Sequence, residues 1–233
     1  MLAFSGSMTY IYCEIFHSVS KITVKDMKEI PEKTIERIIL YRGLLIQARP
    51  DAEPGIFSHQ LARMAGFSSA QVRRDLMEIG YSGSPAHGYQ REALIHSIGT
   101  MVDPAGREEV ALAGIGYIGR AILAYFQGRS THLEITAAFD VDPEKVDRVI
   151  HGCRCHPVDQ MERIVRDRGI RIGILCVPAD QAQSVADGFV AGGAKGILNY
   201  APTRLQLPDD VYVENRDMIT SVEKVAFFAR RKR

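Results

Sequence analysis

The sequence is nearly without net charge. Its 29 Lys and Arg stand against 28 Asp and Glu, a formal net charge of +1, so no chain-wide field recruits nucleic acid or a membrane surface. No apolar run reaches the roughly 20 residues that cross a bilayer, which excludes a membrane-spanning helix. The N-terminal stretch MLAFSGSMTYIYCEIFHSVSKITVKDM has no basic residues ahead of its apolar part, which argues against a signal peptide. Cysteine is scarce. Cys13, Cys153, Cys155 and Cys176, with nothing pointing to export, are expected as reduced thiols of a cytoplasmic protein. Internal repeats and low-complexity tracts are also absent.

What is present is an ordinary globular composition. The chain has 233 residues, 46% hydrophobic and 24% charged, enough for one large domain or two small ones. Residues 1–27 mix apolar and polar positions without a period and are expected as an extension, with Met8 and Met27 as further possible starts. From Glu29 the pattern turns helical. IPEKTIERIILYRGLLIQ brings Ile35, Ile38, Ile39 and Leu45 near one face, with Pro31 in the first turn. ARPDAEPGIF, carrying Pro50, Pro54 and Gly55, reads as a loop.

SHQLARMAGFSSAQVRRDLMEIG then predicts two short helices. Ser58 caps the first, which runs to Met64 and breaks at Gly66. Ser68 or Ser69 caps the second, which runs to Ile79 and stops at Gly80. The spacing of Ala62, Gly66 and Val72 suits a helix-turn-helix: a small contact residue, a turn glycine and an apolar wedge. Ser69, Gln71, Arg73 and Arg74 open the second helix, where such motifs meet base edges and phosphates. YSGSPAHGYQREAL offers a short hairpin, the wing of a winged helix, with His87 near its tip. From Lys28 to Gly106, nine basic residues balance nine acidic ones, so any basic patch must come from placement. An ordinary helical hairpin, with Arg74 paired to Glu78 at i,i+4, remains the alternative.

The second half carries a dinucleotide signature. EVALAG reads as a buried parallel strand. Gly114, Ile115, Gly116, Tyr117, Ile118 and Gly119 follow it, and then an apolar helix. In such a turn the first glycine closes it, the second admits a pyrophosphate and the third seats the helix, whose N-terminus attracts the phosphate. A second strand, LEITAAFD, ends at Asp140, 21 residues beyond Gly119, with Val141 next. This is the position of a ribose-binding carboxylate. It favours NAD over NADP, whose extra phosphate it would repel. RIGILCVPA, KGILNYAP and VYVEN complete the sheet, with DQAQSVADGFVAGG as a helix. Val177, Pro178, Asn199 and Tyr200 end two of these strands, where ligands of such folds lie. HGCRCHP could offer Cys153, Cys155 and His156 to zinc. It falls where a short third strand should run, and no second ligand cluster exists, so no metal is expected. His132 and His151 are isolated and provide no acid–base pair.

Over roughly Lys28 to Phe228 the chain resembles the Rex redox-sensing transcriptional repressors, on QVRRDLMEIG followed by GYQREAL, GIGYIGRAI, AAFDVDPEKV, VPADQAQSVAD and GAKGILNYAP. The resemblance implies an α/β chain: an N-terminal winged helix-turn-helix domain, a Rossmann-type parallel-sheet domain and a C-terminal helix swapped between subunits of a homodimer. It implies NAD(H) as cofactor, double-stranded operator DNA as partner, and release of DNA as the NADH to NAD⁺ ratio rises. By this resemblance Tyr125 matches a tyrosine that moves with redox state, Asp217 an acid of the interdomain contacts, and Arg73 and Arg74 the recognition-helix basics. The expected divisions are 1–27, 28–105, 106–215 and 216–233, the last covering MITSVEKVAFFARR. Three departures stand out. The family's Tyr-x-Arg is here Tyr41-Arg42-Gly43; the wing offers His87 in place of a further glycine and a basic residue; and Asp147 stands where a glycine is common. After Asp140 fewer than a hundred residues remain, too few for a substrate domain once the sheet is complete, so the nicotinamide is expected to be sensed and not consumed. The alternative readings are an NAD-dependent oxidoreductase with an N-terminal helical domain, and a DNA-binding protein whose Rossmann domain serves only for dimerisation.

Overall fold

The computed structural model describes residues 30–48, 54–128 and 132–231. The extension expected over 1–27, with Cys13, lies outside these residues. The chain divides into two units between Asp103 and Pro104, two residues before the expected 105/106 boundary.

In the first unit, α1 (Glu32–Gln47) follows Pro31. Its inner face is Thr34, Ile38, Tyr41 and Leu45, a three- and four-residue period. Ile39, expected on that face, is 51% exposed. One residue on from Ile38 means a turn of about 100° around the helix, and Tyr41 takes the inner place because its hydroxyl finds a buried acceptor. Next, β1 (Gly55–Ile56) replaces the end of the expected loop, while residues 49–53 of that loop are outside those described. The helices α2 (Ser58–Ala65) and α3 (Ser69–Glu78) follow. Ser58 is the first residue of α2 and not its cap; the Gln60 side chain accepts from the Phe57 N–H at 2.7 Å instead. Gly66, at φ +74°, ends α2 in the left-handed region that glycine enters without steric cost. Ser68 caps α3, its Oγ accepting from the Gln71 N–H at 3.1 Å.

The wing is present as a minimal hairpin. Ser84 and Gly88 exchange backbone hydrogen bonds, and β2 (Tyr89–Gln90) pairs antiparallel with β1. Helix α4 (Arg91–Val102) closes the unit. Ile38, Leu61, Val72, Leu76, Leu94 and Ile98 form its fully buried centre.

The second unit is a seven-stranded sheet. Its strands are β3 (Glu108–Ala113), β4 (Leu133–Asp140), β5 (Val149–Ile150), β6 (Cys153–Pro157), β7 (Ile172–Leu175), β8 (Gly196–Asn199) and β9 (Tyr212–Asn215). The order is β5-β6-β4-β3-β7-β8-β9, parallel throughout except for the β5–β6 pair. Setting β5 aside, this is the doubly wound order with its reversal at β3. Helix α5 (Tyr117–Phe126) packs on one face with Leu112, Cys153 and Cys155. Helices α6 (Met161–Asp167) and α7 (Ala179–Ala191) cover the other with Ala113, Phe139 and Leu175. Neither β5 nor α6 was foreseen. The β5–β6 hairpin turns through His151 and Gly152, both at positive φ, as a two-residue hairpin turn of the primed type requires. Asp147, where the resemblance leads one to expect glycine, does sit in the left-handed region at φ 60°. Last comes α8 (Met218–Arg231), of which no residue is buried.

Candidate dinucleotide and nucleic-acid sites

The glycine turn lies where the chain leaves β3, beside the end of β7. The helices that follow these neighbouring strands, α5 and α7, pack on opposite faces, so their N-termini flank a crevice at the strands' carboxyl ends. Gly114 has φ +88°, and a Cβ there would stand 2.5 Å from the Cys176 carbonyl oxygen. A Cβ on Gly119 would stand 2.0 Å from the Gly114 carbonyl oxygen. The turn and the first coil of α5 are therefore packed backbone on backbone. At Gly116 the opposite holds: a Cβ would meet nothing within 4 Å. Open space thus lies over the start of α5, whose first N–H groups have no acceptor within the helix. Tyr117 is 97% exposed beside this space and Ile118 is at the edge of exposure.

Ile115 contributes through its backbone. Its side chain is fully buried, and its N–H donates to Asp140 Oδ2 at 2.7 Å. Asp140 Oδ1 accepts from the Asp142 N–H at 2.9 Å. Lys145, which sequence reasoning missed, places Nζ 3.3 Å from Asp140 Oδ2 and 3.2 Å from Asp142. Burial lowers the pKa of its ammonium, but the bonds to Asp142 and Asp140 outweigh burial and raise it. The acid at the end of β4 is thus held against the glycine turn before any ligand arrives, and Val141 beyond it is exposed.

Val177 and Pro178 follow β7, and Pro178 occupies the N-cap position of α7. Asn199 is buried, and its amide is used within the protein: Nδ2 donates to the Thr203 carbonyl and to Asn215 Oδ1, and Oδ1 accepts from the Ala201 N–H. It shapes the end of β8 and leaves its neighbour Tyr200 half-buried. Tyr125 is 59% exposed on α5. Asp217 caps α8, accepting from the Ile219 N–H at 2.9 Å and the Thr220 hydroxyl at 2.6 Å.

In HGCRCHP the first two residues are the hairpin turn and Cys153–Pro157 form β6, and strand alternation separates the zinc candidates. Cys153 and Cys155 face the α5 side, whereas His156 lies against Phe139, whose ring belongs to the other face. Burial pushes both thiols up to about 11, which disfavours the thiolate that a metal or an electrophile needs.

In the first unit, Arg73 and Arg74 are exposed on α3. Arg73 donates to Ser58 Oγ at 3.2 Å, and no ion pair joins Arg74 to Glu78 among the described residues. Ser69 is half-buried at the start of α3. His87 is exposed in the wing turn, its N–H held by Ser84 Oγ at 2.9 Å. Gln71 is half-buried and donates from Nε2 to Asp75 Oδ1 at 2.8 Å. Asp75, also missed, is 1% exposed and accepts two further bonds of 2.7 Å from Arg37 and one of 2.8 Å from Tyr41 Oη. Its signal was legible: a carboxylate on the same helical face as Val72, Leu76 and Ile79. Arg42 makes a bidentate pair with Asp103, both bonds 2.6 Å.

Among the described residues no helix is long and apolar enough to cross a membrane. Two family models match the chain: "Putative DNA-binding protein N-terminus" over residues 29–76 and "CoA binding domain" over residues 106–203. The chain is 35% identical to the redox-sensing transcriptional repressor Rex of Syntrophobacter fumaroxidans over 200 residues, 85% of this chain and 95% of that one. It is 34% identical to Rex of a Roseiflexus species over 205 residues, 88% of this chain and 93% of that one. Among solved structures it is similar to RSP, a Rex-family repressor, in complex with β-NAD⁺ and operator DNA. That likeness has a TM-score of 0.80 and 28% identity, covering 87% of this chain and 94% of the other. RSP with β-NADH gives a TM-score of 0.77 at 27% identity, covering 88% and 96%. With both units matched in order by full-length relatives, the chain belongs to the Rex family of redox-sensing transcriptional repressors.

Proposed function

We propose that this chain is a DNA-binding transcriptional repressor of a cytoplasmic homodimer, bound to operator DNA when NADH is scarce and released when NADH binds. The observation that carries it is the coexistence in one chain of a helix-turn-helix with exposed arginines on its second helix and a glycine turn backed by a pre-positioned carboxylate. RSP binds both ligands, a nucleotide and operator DNA, and on this reading they fall here to the glycine turn and to the helix-turn-helix.

The residues present suit NAD(H). The open space at Gly116 and the N-terminus of α5 receive the pyrophosphate; Gly114 and Gly119 make that approach possible, with Tyr117 and Ile118 at its side. Asp140 accepts from the ribose hydroxyls, and Val141 flanks the adenosine. Val177, Pro178 and the backbone at Asn199 and Tyr200 border the nicotinamide half. A ribose phosphate fits poorly, whether the 2′-phosphate of NADP or the 3′-phosphate of coenzyme A. The Asp140 carboxylate would repel such a phosphate, and the Lys145 ammonium is already paired with Asp140 and Asp142. Nicotinamide binding supplies the redox signal, and no residue here is assigned to hydride transfer. Asp140→Ala is expected to weaken NADH binding about 100-fold, since it removes the ribose acceptor, strands the Ile115 N–H and leaves Lys145 with Asp142 alone. Calorimetry with NADH checks this, and an unchanged affinity would remove Asp140 from the site.

DNA contacts fall to Arg73 and Arg74 on α3, with Ser69 and Gln71 at its start and His87 on the wing. The partner for α8 is a second copy of this chain. Ile219, Val222, Val225, Phe227 and Phe228 are each more than half exposed on it, an apolar surface that a monomer would leave in water. Val222→Glu with Phe228→Glu is expected to shift the protein from dimer to monomer in sedimentation velocity. It should also lower operator affinity by more than tenfold, because two half-sites are then bound separately.

The switching is linkage: NADH must prefer the arrangement of the dimer that does not bind DNA, and operator must weaken NADH binding by the same factor. The deciding experiment is a titration of DNA from upstream of the protein's own gene and of fermentation and respiration genes, at one fixed salt concentration. It is run without nucleotide, with NAD⁺ and with NADH. Binding that NADH alone abolishes establishes the function. Tight nucleotide binding with no effect on DNA under any condition overturns it.

A further inference from the structure

The carboxylate of Asp75 sits on the recognition helix but takes no part in its exposed face. It is buried beneath α3 and receives hydrogens from three side chains: two from the Arg37 guanidinium at 2.7 Å, one from the Tyr41 hydroxyl at 2.8 Å and one from the Gln71 amide at 2.8 Å. Arg37 reaches it from α1 and also donates to Thr34 Oγ1 at 3.1 Å. A buried ion pair is weak evidence for stability, since apolar residues of similar volume often serve as well; what the carboxylate adds here is the orientation it imposes on its donors.

What it orients is Gln71. An ionised carboxylate only accepts hydrogen bonds, so the amide nitrogen of Gln71 must face inward and its oxygen outward. Oε1 has no protein partner among the described residues and is not closed off from solvent. The backbone N–H of Gln71 is meanwhile held by the Ser68 cap, so both ends of this residue are fixed. Gln71 is the third residue of the second helix of a helix-turn-helix, in the part that meets base edges. Arg37 neutralises the buried charge, so Asp75 adds little repulsion toward a phosphate backbone. The Tyr41 phenol is held in its protonated, donating form, first by burial and then by Asp75.

We propose that Asp75 is a positioning residue for base recognition: it presents the outward oxygen of Gln71, with the second amide hydrogen beside it, to an exocyclic amine in the major groove, adenine N6 with its N7 acceptor. The rotamer freedom Gln71 would otherwise lose on binding is given up in the free protein, so discrimination at that base pair depends on a side chain that never touches DNA. This rests on the DNA-binding reading above.

The test is selection from a randomised duplex library by the full-length protein with NAD⁺ at fixed salt, reading the base preference at every position. Wild type is expected to enrich a two-half-site sequence. Gln71→Met should flatten one A·T position per half-site by about tenfold and leave the others. Asp75→Asn, which puts a donor among donors, should flatten the same position, with no further loss when combined with Gln71→Met. Gln71→Glu keeps an outward acceptor but sets a carboxylate against Asp75; loss of the preference is expected, and it stands in for Asp75→Asn if that variant does not fold. Retained preference in Gln71→Met or Gln71→Glu overturns the inference while leaving operator binding intact. A uniform loss across all positions in folded Asp75→Asn overturns it too. A wild type that enriches no sequence overturns the DNA-binding reading itself.

Discussion

Gly119→Ala is expected to lose about 100-fold in NADH affinity and to lower the melting temperature of the second unit by roughly 10 °C. The added methyl would lie 2.0 Å from the Gly114 carbonyl oxygen, a contact with backbone and not with the end of a flexible chain. Two backbone segments must separate, and each is anchored: Gly114 abuts the end of β7, and Ile115 is bonded to Asp140. Over-packing of this kind costs about 3 kcal/mol or more, and about 4 °C accompanies each kcal/mol in a unit of this size. The first N–H groups of α5 move with the helix, so the pyrophosphate loses its donors. Operator binding without nucleotide should persist, because the first unit has its own core. The variant is then a repressor that NADH no longer releases. Differential scanning calorimetry, NADH titration and operator binding in parallel check this. Normal NADH affinity in the variant would mean that the turn is not the nucleotide site.

Arg37→Ala is expected to destabilise the first unit by about 3 kcal/mol at pH 7, since it leaves a buried carboxylate with its main charge partner gone. Arg37 is 18% exposed and Asp75 1%, so water can replace only part of what is lost. Burial by itself raises the pKa of Asp75, but the bonds from Arg37, Tyr41 and Gln71 outweigh it and hold the carboxyl below its ordinary 3.8. A folded-state pKa below the unfolded one means that the contribution is fully present above about pH 4 and disappears as pH falls through the folded value. The difference in stability between wild type and Arg37→Ala should therefore be greatest where Asp75 is ionised in both proteins and shrink as pH falls through the Asp75 pKa of the variant, which lies above that of wild type because Arg37 no longer opposes burial. Urea melts of the first unit's signal at several pH values check it. A difference that stayed constant down to pH 2.5 would show that the stability loss does not run through the Asp75 carboxylate.

Much of the second unit could be read directly. LEITAAFD is β4 from end to end, with its apolar second half buried and Asp140 at the end that reaches the site. The glycines at 114 and 119 also have the roles their spacing implies, since backbone contact leaves no other residue possible. The first helix was less legible. Its periodicity is weak, with isoleucines at adjacent positions, and Ile39 was assigned inward while Tyr41 was overlooked. The β5–β6 hairpin was missed because His151-Gly152 is an uncommon pair for such a turn. Asp75 and Lys145 were missed, and Arg42 was named without its partner, for a common reason. Each finds its meaning in a partner on another element or beyond a turn: Arg37 38 positions away, Asp140 five away and Asp103 61 away.

The sequence by itself determined the order of the two units, the glycine turn with Asp140 behind it, and the helix-turn-helix. These depend on local periodicity, on residues that permit unusual backbone conformations, and on fixed spacing along one chain. Only the tertiary structure decided which polar side chains are free to act. It tied the Asn199 amide into the protein, pinned Gln71 from beneath and joined Arg42 to Asp103. It also set the cysteines and His156 of β6 on opposite faces of the sheet. A buried hydrogen-bonding group must find a partner wherever the fold supplies one, and that choice is made in three dimensions, between residues whose distance along the chain carries no signal.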